Sequence, residues 1–237
     1  MKNLLFILLL FLTVSLKGTE AITVSPDSII NRSSGGYSLL LPADSSDFPP
    51  LNLLKTALAG YELLVKDKSV SRPDVITIID FSLQSDMERL WVIDLRKGKV
   101  LFHCLVSHGR NSGELKAENF SNKPGSYASS PGFYVTGETY LGKHGLSLML
   151  DGLESGINDK ARARAIVMHG ADYVSDEFIR SHGRLGRSLG CPAVPVDLSE
   201  DIIKTIKGGS CLFIYAPHPG YTSKSPIISR INSSIKT

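Results

Sequence analysis

Short apolar runs rich in β-branched and aromatic residues recur through the middle of this 237-residue chain, and they limit its fold more than any other feature. Runs of this length, separated by segments that carry Gly, Asn and Ser, are typical of β-strands. They occupy residues 75–81, 90–95, 100–107, 132–140, 146–150, 165–168 and 211–216. The sequence therefore predicts a mainly β fold.

Other segments predict helices and one long loop around these strands. In residues 51–66 and 197–206, apolar side chains recur at steps of three and four, the period of an amphipathic helix. Ser175 can cap a short helix over the residues that follow it. Residues 111–131 are rich in Gly, Ser and Asn and too long for a tight turn, so we expect a lid or a disordered excursion. The helices are expected to be few and peripheral, with one at the N-terminal side.

The N-terminus carries the pattern of a secretory signal peptide. Lys2 precedes an unbroken apolar run over residues 4–12, and small or polar residues follow it. This run is shorter than the about 20 residues that a membrane-spanning helix needs. We therefore expect an exported protein with a signal peptide at 1–21 and no stable membrane insertion after cleavage. Residues 22–50 are expected to form a linker, 51–217 the folded domain and 218–237 a flexible tail.

The balance of charge argues against nucleic acid as a partner. The chain has 26 basic and 23 acidic residues, which gives a formal net charge of +3 at pH 7. No dense Lys/Arg run provides the basic patch that a phosphate backbone attracts. We expect no nucleic-acid partner.

The three cysteines separate into two kinds of environment. Cys104 and Cys211 lie within predicted strands, where we favour two buried, inert thiols over a disulfide. Cys191 lies in a Gly-Cys-Pro segment of a loop with glycines and arginines, and the odd number of cysteines leaves one thiol unpaired. A thiol attacks as the thiolate and ionises only near pH 8.5, so Cys191 needs a neighbouring base if it is a nucleophile.

Two histidines are candidates for that base. His169 follows a predicted strand, and we favour it because a strand end positions a side chain better than a loop does. His182, nearer to Cys191 in the sequence, is the alternative. Arg184 and Arg187 would lower the pKa of the thiol and grip a substrate carboxylate, unless both are solvated surface residues.

The residues directly before Cys191 suggest how a negative oxygen would be stabilised. Gly190 allows a close backbone approach, and Pro192 contributes no N–H group. We hypothesise that the amides of Gly190 and Cys191 face the developing oxyanion and that Ser188 shapes the turn. The alternative is that Gly-Cys-Pro forms a tight structural loop without a catalytic role.

The segments around these residues resemble the murein L,D-transpeptidase catalytic-domain family. Residues 168–175, Met-His-Gly-Ala-Asp-Tyr-Val-Ser, and residues 186–194, Gly-Arg-Ser-Leu-Gly-Cys-Pro-Ala-Val, carry the resemblance. Residues 107–113 and 130–139 are similar to the same branch of the family, and the resemblance spans about residues 51–216. It implies a β-sandwich-like, mainly β domain with helices at its edge.

The resemblance also implies a site and a reaction. Cys191 would be the nucleophile, His169 the base, and the carbonyl of Gly170 would orient that base. The enzyme would attack the L-to-D bond of a peptidoglycan tetrapeptide stem, release D-alanine and pass the acyl group from a Cys191 thioester to an amine, without a metal or organic cofactor. Such an enzyme would cross-link or remodel the wall in the periplasm or cell envelope. Leu189 departs from the family pattern, since most relatives have histidine there.

Three other functions remain open on the sequence. An L,D-carboxypeptidase would resolve the same thioester with water. A non-catalytic wall-binding module would keep Cys191 without using it. A zinc enzyme would need three of five histidines, although no compact ligand spacing is present; these are His103, His108, His144, His169 and His182.

Overall fold

The computed structural model describes residues 27–30, 39–42, 47–216 and 219–235. The predicted signal peptide, residues 1–21, lies outside the described residues, as does most of the predicted linker. Within that linker, strand β1 (Asp27–Ile30) pairs antiparallel with β2 (Leu39–Pro42). In the described ranges, no helix has both the length and the apolar composition needed to cross a bilayer.

A single mixed sheet forms the centre of the domain. Its eight strands among the described residues are β3 (Val75–Asp80), β4 (Leu90–Asp94), β5 (Lys99–Cys104), β6 (Gly132–Gly142), β7 (Gly145–Gly152), β8 (Val167–Gly170), β9 (Ala193–Val194) and β10 (Cys211–Tyr215). They are ordered β5-β4-β3-β10-β6-β7-β8-β9. The pairs β3–β10 and β8–β9 are parallel, and the other pairs are antiparallel. The mainly β prediction is confirmed.

Helices flank this sheet. They are α1 (Leu51–Lys66), α2 (Asp176–His182), α3 (Val196–Ile206), α4 (Pro219–Thr222) and α5 (Pro226–Ile235). The predicted N-terminal helix is therefore confirmed as α1. Ser175 caps α2 as predicted, because its hydroxyl accepts a hydrogen bond from the Phe178 amide at 3.3 Å.

Both faces of the sheet carry buried apolar side chains, which explains why its central strands read as continuous apolar runs. Successive strand residues point to opposite faces. In β3, Ile76 and Ile78 belong to the core cluster that includes α1, whereas Val75 and Ile79 belong to the cluster that includes α3. The sheet is thus enclosed by helices on both sides, and α3 packs beside β8.

The C-terminal segment differs from the flexible tail predicted for residues 218–237. Residues 219–235 form α4 and α5, and α5 packs against α1. Tyr221, Ile227 and Ile231 are buried in the core cluster of α1, and Arg230 forms an ion pair with Asp67 at 2.6 Å. The Ser-rich composition suggested mobility, but Ile227 and Ile231 lie one helical turn apart and supply the apolar face that docks.

Strand β8 begins two residues later than the predicted strand at 165–168. Ala165 has a positive φ of 55° and belongs to the turn that precedes β8. An L-residue with a side chain rarely adopts this conformation, and it cannot be part of a strand there. The turn before β8 therefore contains residues that the sequence assigns to the strand.

Residues 111–131 are held by backbone hydrogen bonds without forming a strand or helix. The Ser112 carbonyl accepts from the amides of Glu118 and Asn119 at 2.8 and 2.9 Å. The Asn111 amide donates to Tyr127 at 3.0 Å, which brings the two ends of the segment together. We call residues 111–131 the long loop.

Candidate active site

Cys191 lies beside the start of β8 because of the register of the sheet. Strands β8 and β9 pair in parallel with His169 opposite Ala193, so the segment just before β9 runs alongside the first residues of β8. The Val167 amide donates to Cys191 Sγ at 3.5 Å, and the thiol donates to the Ala165 carbonyl at 3.7 Å. His169 is two residues beyond Val167 and projects from the same face of β8. The fold therefore brings the predicted nucleophile beside the strand that carries the predicted base.

The thiol is uncharged in this environment. Burial raises the pKa of Cys191 above its ordinary value, and the Val167 amide and the Arg164 guanidinium only partly oppose this effect. We expected Arg184 and Arg187 to lower the pKa of the thiol, and the net shift has the opposite direction. A thiol of this kind needs a base to take its proton during attack.

His169 is buried, and its protonation state suits that task. Its Nδ1 atom lies 2.9 Å from the Gly170 carbonyl, which can only accept, so Nδ1 carries the proton and Nε2 is the acceptor. Burial lowers the pKa of His169, and nearby His144 and Lys143 lower it further. The His144 ring stacks on the His169 ring with centroids 4.6 Å apart. These effects favour the neutral imidazole, the form that can receive a proton.

His182, the alternative base, lies at the end of α2 and is exposed. Its ring stacks on Phe178 at a centroid distance of 4.0 Å, and its Nδ1 atom lies 3.1 Å from the Phe178 carbonyl. These contacts hold His182 against its own helix rather than against the residues around Cys191. His182 is therefore held on α2, whereas His169 lies on the strand beside Cys191.

Arg184 and Arg187 share one carboxylate from the long loop. Glu114 accepts from Arg184 Nε at 2.9 Å and from Arg187 Nη1 at 2.6 Å. Arg187 Nη1 also donates to the carbonyls of Arg110 and Gly113, both at 3.1 Å. Their charges are therefore partly compensated. Through these contacts they fasten the long loop to residues 184–192, which we call the nucleophile segment. Sequence reasoning missed Glu114, since nothing local marks an acidic residue 70 or more positions away as their partner.

The turn before Cys191 corrects one part of the oxyanion hypothesis. Ser188 Oγ accepts from the Gly190 amide at 3.0 Å and donates to the Cys191 carbonyl at 2.6 Å. Ser188 therefore shapes the turn, as we expected. The same contact occupies the Gly190 amide inside the turn, so the amide of Cys191 is the remaining member of the predicted donor pair.

A second layer of contacts supports this turn. Ser129 Oγ accepts from the Gly109 amide at 3.0 Å and donates to the Gly190 carbonyl at 3.2 Å. The Ser188 amide donates to the carbonyl of His108 at 3.0 Å. His108 is buried and accepts from Arg89 at 2.9 Å, and burial together with Arg89 lowers its pKa to about 4. A neutral His108 thus belongs to the support of the site rather than to its proton chemistry.

Arg164 is a further residue near the site that sequence reasoning missed. It lies in the turn before β8 and donates hydrogen bonds to several oxygens of the long loop. Residues 161–165 alternate alanine and arginine, and no sequence signal distinguishes Arg164 from Arg162. Only the tertiary structure turns Arg164 toward the nucleophile segment.

Cys104 and Cys211 belong to the two main core clusters, and His103 lies on β5. Cys104 and Cys211 are buried free thiols, which confirms the prediction of two unpaired core cysteines, and burial raises the pKa of Cys104 to about 12. His103 stacks on Trp91 at a centroid distance of 4.7 Å. Across the described ranges, no three His, Cys, Asp or Glu side chains are grouped so that they could hold a metal ion.

Comparisons with known proteins give consistent results. The sequence profile of the L,D-transpeptidase catalytic domain matches residues 49–215. No curated protein matches the chain significantly.

Similar solved structures are L,D-transpeptidases or are related to cell shape. The enzyme from Mycobacterium smegmatis is 14% identical with a TM-score of 0.37, over 60% of this chain and 59% of that chain. An L,D-transpeptidase from Stackebrandtia nassauensis is 16% identical with a TM-score of 0.38, over 70% and 69%. The K307A mutant of the helical cell shape determining protein Pgp2 from Campylobacter jejuni is 13% identical with a TM-score of 0.42, over 76% and 64%. This chain therefore spans less than two thirds of the M. smegmatis and C. jejuni proteins.

The matched segment contains the helix α1, the whole eight-stranded sheet and the residues gathered around Cys191. It also contains the long loop and the turn before β8, so the site described above lies within it. Because the profile matches more than half of the chain, the protein belongs to the L,D-transpeptidase catalytic-domain family.

Proposed function

We propose that this protein is an exported peptidoglycan L,D-transpeptidase that acts on the tetrapeptide stem through a thioester on Cys191. The observation that carries the proposal is the parallel pairing of β8 with β9, which brings Cys191, just before β9, beside the start of β8. That pairing sets Cys191 Sγ against the Val167 amide, while His169, on the same strand, keeps Nε2 as a proton acceptor through its bond to Gly170. Acyl transfer through a thioester needs a thiol and a base that takes its proton, and Cys191 beside the strand that carries His169 supplies both groups.

The first half-reaction begins from a neutral pair. As Cys191 Sγ attacks the carbonyl carbon of the L-to-D peptide bond, His169 Nε2 takes the thiol proton. The imidazolium that forms is stabilised by the Gly170 carbonyl, which accepts from Nδ1. The Cys191 amide donates to the negative oxygen of the tetrahedral intermediate. Collapse of this intermediate breaks the C–N bond, and His169 returns the proton to the departing D-alanine amine.

The second half-reaction uses the same groups in reverse. An acceptor amine attacks the thioester carbonyl, and His169 removes one proton from that amine. The C–S bond then breaks, and the proton returns to the sulfur of Cys191. An acceptor amine from a second stem gives a cross-link, whereas water in its place gives a shortened stem.

The proposed location follows from the sequence rather than from the described residues. Residues 1–21 have the basic, apolar and small-residue order of a signal peptide. Export to the periplasm or cell envelope would place Cys191 in contact with peptidoglycan stem peptides, the partner that we propose. Cell fractionation of the full-length protein and N-terminal sequencing of its mature form test this part of the proposal.

The test of the activity is mass spectrometry of a disaccharide-tetrapeptide incubated with the purified, reduced protein and an excess of a free D-amino acid. We expect exchange of the terminal D-alanine or cross-linked stems, and we expect both to disappear in Cys191→Ala. The matched control is Cys104→Ala, which also removes one thiol but leaves the nucleophile in place.

Other results of this assay would assign a different function to the protein. Accumulation of tripeptide alone would make it a carboxypeptidase. Binding of the stem without any adduct on Cys191 would make it a wall-binding module. Turnover that survives Cys191→Ala would contradict the thioester mechanism.

A further inference from the structure

Arg164 holds the long loop through both of its terminal nitrogens. Nη1 and Nη2 each donate two hydrogen bonds at distances from 2.6 to 3.3 Å, to Ser121 O, Ser130 Oγ, Ser126 Oγ and Ala128 O. A guanidinium has four N–H groups on these two nitrogens, so its fork is fully used. Arg164 therefore has no free terminal N–H group to bind a substrate carboxylate, and its guanidinium is held in place.

The charge of Arg164 has no carboxylate beside it. All four acceptors are neutral, and within the part of the chain that the structure describes no Asp or Glu lies within ion-pair distance of its side chain. Arg162 differs, because Glu138 and Asp151 both bind its guanidinium. A half-buried arginine stays protonated at neutral pH, and its field is screened less than that of an exposed pair.

Arg164 reaches the nucleophile segment. A Cβ placed on Gly190 would lie 3.3 Å from Arg164 Nη2, so the guanidinium packs on the residue directly before Cys191. The same stretch of chain supplies the Ala165 carbonyl and the Val167 amide that contact Sγ. Ala165 adopts its positive φ within this stretch, and strain of this kind persists where surrounding contacts fix the backbone.

We infer that Arg164 is a positioning residue for Cys191, whose fixed charge stabilises the thiolate formed during attack while its fork holds residues 121–130 against the nucleophile segment. This inference rests on the proposed role of Cys191 as nucleophile. The charge acts when the proton has left for His169, because the half-buried sulfur then carries a negative charge in a medium of lower dielectric constant than water.

Before the proton moves, the other titratable groups around the thiol do not supply a positive charge to it. His169 on β8 is neutral in the resting state, because burial lowers its pKa. Tyr173, in the segment after β8, also faces Cys191, and burial raises its pKa to about 12. Arg184 and Arg187 share the single carboxylate of Glu114, which compensates part of their charge, and the charge that acts on the thiol is that of Arg164.

The test is the pH dependence of Cys191 alkylation by iodoacetamide in the folded protein, followed by peptide mass spectrometry. In Arg164→Gln we expect the apparent pKa of the thiol to rise by about one unit, which leaves roughly tenfold less thiolate at neutral pH. Arg164→Lys keeps the charge and should keep most of the wild-type pKa. The matched control, Arg162→Gln, removes a neighbouring arginine whose charge is already compensated and should leave the thiol pKa unchanged.

A second variant separates the effect of the Arg164 charge from the effect of its hydrogen bonds to the long loop. Ser130→Ala removes one acceptor of the fork but leaves the guanidinium, so it should loosen the long loop in hydrogen exchange without moving the thiol pKa. A wild-type pKa in folded Arg164→Gln would overturn the inference, as would an equal rise in Arg164→Lys and Arg164→Gln. If Arg164→Gln does not fold, a full-unit rise in Arg164→Lys overturns it instead.

Alkylation does not require peptidoglycan, so this test is independent of the proposed function. If the thiol pKa shifts in Arg164→Gln but the protein has no transpeptidase activity, the result would support the role of Arg164 and contradict the proposed substrate. If the enzyme is active but the pKa of Cys191 is unchanged in Arg164→Gln, the result would support the proposed function and contradict the inference.

Discussion

Replacing Gly190 with alanine should destabilise the turn that holds Cys191. Gly190 is buried and has a φ of 123°, a region that residues with a side chain rarely adopt. Its added Cβ would lie 3.0 Å from the Ala128 carbonyl and 3.1 Å from Ile166 Cδ1. The first of these neighbours is backbone and cannot rotate away.

The magnitude combines two terms. The backbone conformation costs about 1–2 kcal/mol for an L-residue, and overpacking of a closely packed site adds about 1–3 kcal/mol. We therefore expect Gly190→Ala to lower the free energy of unfolding by about 3 kcal/mol. For a domain of this size, that corresponds to a decrease in Tm of roughly 6–12 °C.

Gly183→Ala provides the matched control. Gly183 ends α2 with a φ of 70°, and no atom lies within 4 Å of the position of an added Cβ. The free energy of unfolding of this variant should therefore fall only by the cost of the backbone conformation, about 1 kcal/mol. The variant should keep transpeptidase activity. Gly190→Ala should also lose activity, because relief of the contact moves the turn that holds Cys191.

The assay is urea denaturation followed by circular dichroism, with the stem-peptide assay run on the same samples. Equal losses of stability in the two variants would refute the reasoning, since the packing term would then be absent. Full activity in a folded Gly190→Ala would also refute it, because the position of the turn would not matter for chemistry.

Two further predictions follow from groups around the site. Glu114→Gln should lower Tm by less than about 8 °C, because its two exposed ion pairs contribute up to about 1 kcal/mol each. It should nevertheless speed hydrogen exchange in the long loop, and unchanged exchange relative to a Glu118→Gln control would contradict the role assigned to Glu114. His144→Ala should raise the pKa of His169, because it removes a group that lowers this pKa and exposes the ring. Since His169 must be neutral to act, the acidic limb of kcat/KM should then move to higher pH, and an unmoved limb would show that the stacked ring has no influence on the base.

Much of the secondary structure could be predicted because its signals are local. The apolar period of residues 51–66 and the capping hydroxyl of Ser175 depend on residues a few positions apart, and both predictions agree with α1 and α2. Cys104 and Cys211 could be placed in the core for the same reason, since their neighbours are continuously apolar. The C-terminal helices were missed, because α5 is stabilised by docking on α1 rather than by its own composition.

The sequence by itself determined the mainly β fold and selected Cys191 and His169 as the candidate pair, because strand composition and the Gly-Cys-Pro segment can be read locally. The tertiary structure alone decided which groups surround them. It paired Glu114 with Arg184 and Arg187, and it turned Arg164 toward the segment before Cys191. These contacts join residues far apart in the chain, and only the register of β8 with β9 and the closure of the long loop bring them together.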